Sequence, residues 1–184
     1  MKAPVPLNEA ARLEALRQYR ILDTTREQAF DDLTLIAAHV AGVPLAGISL
    51  IDSDRQWYKA TYGWEVVEVP RDYSFCAHTI AQNEPLVVPD ATADPRFAGH
   101  PLVTEEPHIR FYAGVPLTTV QGHTLGTLCV YDHQPRELTQ AQRACLLAIA
   151  RLTMLQLEMR RNAAHLTAVS ERLAAELAEA KGGK

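Results

Sequence analysis

Cysteine is scarce and its count is odd. The 184-residue chain holds three, Cys76, Cys129 and Cys145, with no CxxC pair among them, which excludes a disulfide framework and a four-thiolate zinc site. Also missing is any apolar run near the roughly 20 residues needed to cross a bilayer, and Met1 to Leu22 lacks the basic-then-apolar order of a secretory leader. Positive charge is short as well. Eighteen Lys and Arg against 22 Asp and Glu leave a net charge of −4, no footprint for nucleic-acid phosphates. His100, His108, His123 and His133 stand at spacings that fit no metal site. These absences predict a soluble cytoplasmic protein with reduced thiols and no metal, nucleic-acid partner or membrane.

What is present, 47% hydrophobic and 22% charged residues, suffices for one well-buried domain plus an appendage. After a polar, proline-marked start, Asn8 is placed to cap a first helix whose Leu13, Leu16 and Tyr19 recur at helical spacing. Thr25-Arg26-Glu27-Gln28 reads as a capping box opening a second helix, with Phe30, Leu33, Ala37 and Val40 on one stripe until Gly42 and Pro44 stop it. Ala46 to Asp52 and Arg55 to Tyr62 read as a strand pair around Ser53-Asp54, with Trp57 and Tyr58 divided between core and edge. Gly63 to Arg71 is a loop or edge segment. Ser74 caps a short helix from Phe75 to Gln82, and Leu86 to Val88 form a short strand. The stretch from Asp90 to Pro107 has little periodicity, and such segments inside a compact domain are commonly lids or pocket walls.

From Arg110 to Asp132 the pattern is two antiparallel strands around Gln121-Gly122-His123. Phe111, Ala113, Val115 and Leu117 share one face, and Arg110, Tyr112, Gly114 and Pro116 the other; Leu125, Thr127, Cys129 and Tyr131 oppose Gly126, Leu128 and Val130. Neither face is fully polar, which suits helices on one side and a partly enclosed site on the other. The alternation leaves open which face floors that site. Thr139-Gln140-Ala141-Gln142 then opens a last helix with a second capping box. In it Leu152, Met159, Leu166 and Leu173 recur every seventh residue, with Leu155, Asn162 and Val169 in the alternate seam position. From about Arg160 the stripe has no sheet to lie on, so a partner helix is expected, with Asn162 fixing register. A frayed monomeric helix is the competing expectation, since Glu176 interrupts the seam.

Several words of the sequence resemble GAF domains, sensor modules that precede histidine kinases and cyclic-dinucleotide enzymes in bacterial signal transduction. They are NEAARLEALRQYRILDT at 8–24, ISLIDSDRQWYKA at 48–60, PRDYSFCAHTI at 70–80, LVVPDATADPRF at 86–97, and IRFYAGVPL with GTLCVYD at 109–132. The resemblance implies an α+β GAF fold: a central antiparallel sheet with N- and C-terminal helices on one face and a ligand cavity on the other. The cavity walls would be the Ser74–Gln82 helix and the Asp90–Pro107 loop. It also implies a division into a disordered or extended 1–7, a sensor domain at 8–160 and a coiled-coil-like extension at 161–184. A homodimer is expected through Leu13, Leu16, Leu152, Leu155, Met159, Asn162, Leu166, Val169 and Leu173, acting on a kinase or cyclic-dinucleotide output domain or on a separate partner.

Cys76 and His78 lie two apart at the start of a short helix, where unpaired amides and the dipole favour an anion or a thiolate. With Ser74, Phe75 and Thr79 they form the leading ligand-side cluster; the bland alternative is that Phe75 and Cys76 plug the helix against the sheet. Asp90, Arg96, Phe97, Arg110, Tyr112 and Cys129 complete the expected set. Arg71, Arg96 and Arg110 suit a carboxylate or phosphate. Equally, Arg110 would pair with Asp90 or Asp94 to hold the loop, and Arg71 and Arg96 would lie on the solvated surface.

The resemblance brings no cofactor with it. A bilin is disfavoured because the family's attachment cysteine precedes a histidine, whereas Cys76 precedes Ala77; a cyclic mononucleotide is disfavoured because Phe97 has no Asn-Lys companion. GAF-fold reductases of free methionine sulfoxide use closely placed cysteines, and Cys76 and Cys129 would approach each other, but the segments around them do not match. The expected function is therefore non-catalytic sensing of an unidentified small molecule. A thiol-dependent reductase and a ligand-free scaffold are the alternatives.

Overall fold

Two runs of β-branched and aromatic residues, one on each side of the short-helix region, form the centre of the sheet. The computed structural model describes residues 3–182, with β1 (Leu45–Ile51), β2 (Arg55–Tyr62), β3 (Glu68–Pro70), β4 (Leu86–Val88), β5 (Phe111–Thr118) and β6 (Thr124–Asp132) in the order β3-β2-β1-β6-β5-β4. All neighbours are antiparallel, and β1 joins the two hairpins by pairing with β6 from Leu45↔Tyr131 to Leu50↔Gly126. Every residue of β1 and β6 is buried, because elements cover both faces of the sheet.

One face carries α1 (Glu9–Tyr19), α2 (Gln28–Ala41) and the first half of α5 (Gln140–Gly182). Leu16, Phe30, Ile48, Trp57, Phe111 and Leu157 are among its buried core residues, each contributing about 1.5–3 kcal/mol of apolar burial. Trp57 and Tyr58 are both buried, on opposite faces, rather than split between core and edge. Leu16, expected on a dimer surface, is a core residue because α1 turns that side toward the sheet and α5, and Leu13 is half-buried.

The Thr25 capping box does not form. Helix α2 starts at Gln28 with Glu27 in the cap position and no side-chain cap bond. Glu27 instead accepts hydrogen bonds from Lys59 Nζ at 2.7 Å and Arg160 Nε at 2.8 Å. The Lys59 side chain is wholly buried, and an unpaired buried ammonium costs more than a lost cap. Asn8 likewise makes no cap bond to α1. The Thr139 box does form, with Gln142 N donating to Thr139 Oγ1 and Thr139 N donating to Gln142 Oε1.

Helix α5 has two unlike faces. Leu146, Ile149, Ala150, Thr153 and Leu157 are buried against the domain, whereas Leu152, Leu155, Met159, Leu166, Val169 and Leu173 are exposed, from 40% to 68%. Arg160 donates to the Tyr19 and Arg20 carbonyls and Arg161 lies over the Tyr19 ring. Beyond them, residues 162–176 are all exposed. No described helix is long and apolar enough to cross a membrane.

Candidate functional site

The second face of the sheet is covered by α3 (Phe75–Gln82), α4 (Pro101–Thr104) and the loop around them. Tyr112 of β5 and Cys129 and Tyr131 of β6 point to this face. Ser74 caps α3 as expected, accepting from Ala77 N at 2.8 Å. Its hydroxyl also donates to Gln56 Oε1, and Gln56 Nε2 donates to Cys76 Sγ at 3.2 Å. Capping thus orients Gln56, which in turn holds the thiol.

Cys76 Sγ lies 3.4 Å from Tyr131 OH and 3.5 Å from Tyr112 OH. Tyr112 OH meets Thr79 Oγ1 at 2.7 Å, and Tyr131 OH meets Tyr58 OH at 3.3 Å. Gly114 makes room for the first of these contacts, since a Cβ there would stand 2.0 Å from Tyr112 OH. Burial pushes the Cys76 thiol up, but the polar groups around it, those of Cys129, Ser49, Thr127 and Tyr112, outweigh burial and hold it at about 6. Cys129 moves the other way, raised by burial and by Cys76. Burial also raises Tyr58, Tyr112 and Tyr131 well above the ordinary phenol range, so all three remain neutral donors at physiological pH.

Above this hydroxyl–thiol network lies a stack of rings. Phe75 and Phe97 are parallel with centroids 4.3 Å apart, and Phe75 also meets Tyr112 at 5.2 Å and His100 at 5.0 Å. His78 abuts the Phe97 edge at 4.8 Å, with its pKa lowered by burial and by Arg96. Trp64 closes the other side against Tyr131 at 5.0 Å. The space between α3 and the sheet is packed with side chains: Phe75, Cys76, Thr79, Phe97, Tyr112 and Cys129 are each at most 1% exposed.

Ser74, Phe75, Cys76, His78, Thr79, Phe97, Tyr112 and Cys129 are therefore brought together. Asp90 and Arg110 are not; they build the loop at its rim, where Arg96 lies over the Phe97 ring at 5.2 Å. Asp90 Oδ1 accepts from Thr92 N at 2.9 Å, and Asp94 accepts from Arg96 N and pairs with its guanidinium at 2.6 Å. Arg110 Nη1 donates to the Val103 and Ile109 carbonyls rather than bonding to Asp90 or Asp94. The aperiodic stretch is thus an ordered cover, with α4 capped by His100 Nδ1. Arg71 is buried, not solvated. Gln56, Tyr58, Trp64 and Tyr131 belong to the cluster although sequence reasoning did not select them; Tyr131 carried a signal, two residues from Cys129 on the same strand face. Among the described residues no group of His, Cys, Asp and Glu is arranged to hold a metal ion.

The family model described as GAF domain matches residues 25–157. The chain belongs to the GAF domain family. Over 160 residues it is 39% identical to a cyclic di-GMP phosphodiesterase of Pseudomonas aeruginosa, a match covering 86% of this chain and 27% of that protein. The GAF domain thus spans about a quarter of that relative's length. Among solved structures, the GAF domain of an Acinetobacter phosphoenolpyruvate-protein phosphotransferase superposes with a TM-score of 0.59 at 20% identity, covering 86% of this chain and 97% of that one. The free methionine-R-sulfoxide reductase of Neisseria meningitidis, solved with its substrate, gives 0.61 at 18% identity, covering 84% and 92%. At these identities the two likenesses show the fold alone.

Proposed function

We propose that this GAF domain is a non-catalytic regulatory module. A small molecule acts on the α3 face, and two copies joined along α5 carry the response. The observation that carries this reading is the exposed heptad stripe from Leu152 to Leu173, on the side of α5 opposite its core contacts and continuing past the last contacts with the domain. Six large apolar side chains in one line are costly to leave in water, and a second helix covers them. Asn162 occupies one seam position, where a paired amide selects register. The similarity to a cyclic di-GMP phosphodiesterase over a quarter of its length supports an output of the cyclic-dinucleotide class.

Ligand entry requires the Phe75–Phe97 stack to open, and the rim that holds Phe97 is a loop segment fastened by short-range bonds. Such a switch needs a ligand with unequal affinity for the closed and open states. A thermal-shift screen of small metabolites, read together with native mass spectrometry, tests it. A metabolite that raises the melting temperature of the chain but not of Tyr112→Phe supports the reading; no stabilisation by any compound and no co-purified small molecule contradicts it.

The lowered Cys76 thiol next to Cys129 favours one second reading, a thiol-dependent reductase. Complete burial of both thiols weighs against it. Incubation with free methionine sulfoxide and a dithiol reductant, with Cys76→Ser as control, decides between them: Cys76-dependent turnover establishes the enzyme.

A further inference from the structure

A separate group of buried polar side chains closes the end of the sheet beneath α1. Arg12 on α1 is 1% exposed, and Arg71, in the turn before α3, is 6% exposed. Both hold the same carboxylate. Glu9 Oε1 accepts from Arg12 Nη2 at 2.7 Å and from Arg71 Nη1 at 2.5 Å, and Glu9 Oε2 accepts from Arg12 Nε at 2.8 Å. Two guanidiniums on one carboxylate leave the trio with an excess positive charge out of water, where an uncompensated charge is costly.

The geometry of the pair determines which donors are left over. Glu9 grips Arg12 side-on through Nε and Nη2, so Nη1 is free of it. Among the described residues Arg12 Nη1, Arg71 Nε and Arg71 Nη2 are buried without a hydrogen-bond partner. An unsatisfied buried donor costs about 1–3 kcal/mol, and more when it is charged.

Arg12 forms part of the wall of a cleft of about 210 Å³, with Asn8, Asn83 and Thr124 as its other side-chain polar neighbours. None of its lining residues is acidic. Asn83 Oδ1 already accepts from Thr118 and Thr124, so its amide nitrogen is the group left to serve as a donor. Asn8 makes no cap bond, and its side chain is likewise uncommitted at the N-terminus of α1, where backbone amides favour negative charge. Pro6, Ile80 and Ala81 supply apolar wall.

We propose that this cleft is an oxyanion site, taking a small carboxylate or phosphate group against Arg12 with Asn83 as the second donor. Its volume lies below the roughly 300 Å³ at which drug-sized pockets begin, which restricts the ligand to a short metabolite or an inorganic anion. The apolar wall favours an aliphatic carboxylate over free phosphate. Occupancy would tie the start of α1 to the end of α3 and to the β5–β6 turn at Gly122. The site stands apart from the Cys76 cluster and does not depend on that cluster binding anything.

The test is an NMR titration of the full chain with sodium propionate and, separately, with sodium phosphate, at ionic strength held constant with chloride. Saturable shifts of amides around Arg12 and Asn83 are expected with at least one anion. Preference for propionate identifies an organic acid, and preference for phosphate identifies a phosphate ligand. Arg12→Gln should abolish the shifts. Asn83→Asp keeps the Oδ1 acceptor and a side chain that tolerates the left-handed backbone, while placing a negative charge in the cleft; it should weaken binding at least about tenfold. Should Arg12→Gln fail to fold, Asn83→Asp decides, with a thermal melt as its folding control. No saturable shift with either anion up to about 20 mM, well above a millimolar Kd, overturns the proposal. So does unchanged affinity in Asn83→Asp.

Discussion

Phe75 lies against Phe97, Tyr112 and His100 with its side chain fully buried, one residue after a serine whose hydroxyl caps the helix it starts. Removing that ring leaves a hole that its stacked neighbours fill only in part, so Phe75→Ala is expected to cost about 3–5 kcal/mol. Urea unfolding of the two proteins measures it, and a loss below about 1 kcal/mol would show that the stack is loose. Glu9 gives a pH signature. Burial raises its carboxyl, but hydrogen bonds from Arg12 and Arg71 prevail and bring it down from 4.5 to about 2. A carboxylate depressed on folding contributes stability that is fully present above its unfolded pKa and lost as pH falls through its folded one. The urea midpoint should therefore fall between about pH 5 and pH 2, and Glu9→Gln should flatten part of that decline; an equally steep decline in the variant would mean that other carboxylates account for it.

Where an element's signal was local, the sequence was enough to place it. Ser74 and the Phe75–Gln82 helix, the Leu86–Val88 strand and the Thr139 capping box stand where pattern and caps put them. The Thr25 box read equally well in sequence, yet Glu27 is taken by Lys59 and Arg160, which lie 32 and 133 residues away along the chain. Long-range charge pairing of this kind leaves no periodic trace. The same limit applies to Leu16, whose helical spacing marks an apolar face without saying what covers it. For α5 the seam itself supplies a test. Cys145 is exposed and precedes Leu152 by one heptad on the same line. If the paired helices run parallel and in register, mild oxidation should join two chains through Cys145, giving a dimer band on a non-reducing gel that Cys145→Ser abolishes. A dimer in solution that resists this cross-link would reject the parallel, in-register arrangement.

At the scale of the whole molecule, the sheet separates the buried thiol–tyrosine cluster from the long C-terminal helix. The Cys76–tyrosine network and its ring stack lie on one face, and α1, α2 and α5 lie on the other. On the helix face, Lys59 of β2 reaches Glu27, and Glu27 reaches Arg160 at the point where α5 leaves the domain. Sequence reasoning found most of the buried cluster, because Ser74, Phe75, Cys76, His78 and Thr79 are consecutive or nearly so. It did not foresee that Arg96 pairs with Asp94 or that Arg110 donates to the Val103 and Ile109 carbonyls, because an arginine's choice of partner is made by geometry that composition does not encode. The central claim is that α5 pairs two copies along its exposed stripe. Sedimentation equilibrium of the chain and of a Leu155→Glu/Leu166→Glu variant tests this most directly. The account predicts a mass twice that of the 20.4 kDa chain for the first and the single-chain mass for the second, both fully folded by circular dichroism. A monomeric parent chain, or a dimer that survives both charges, would contradict it.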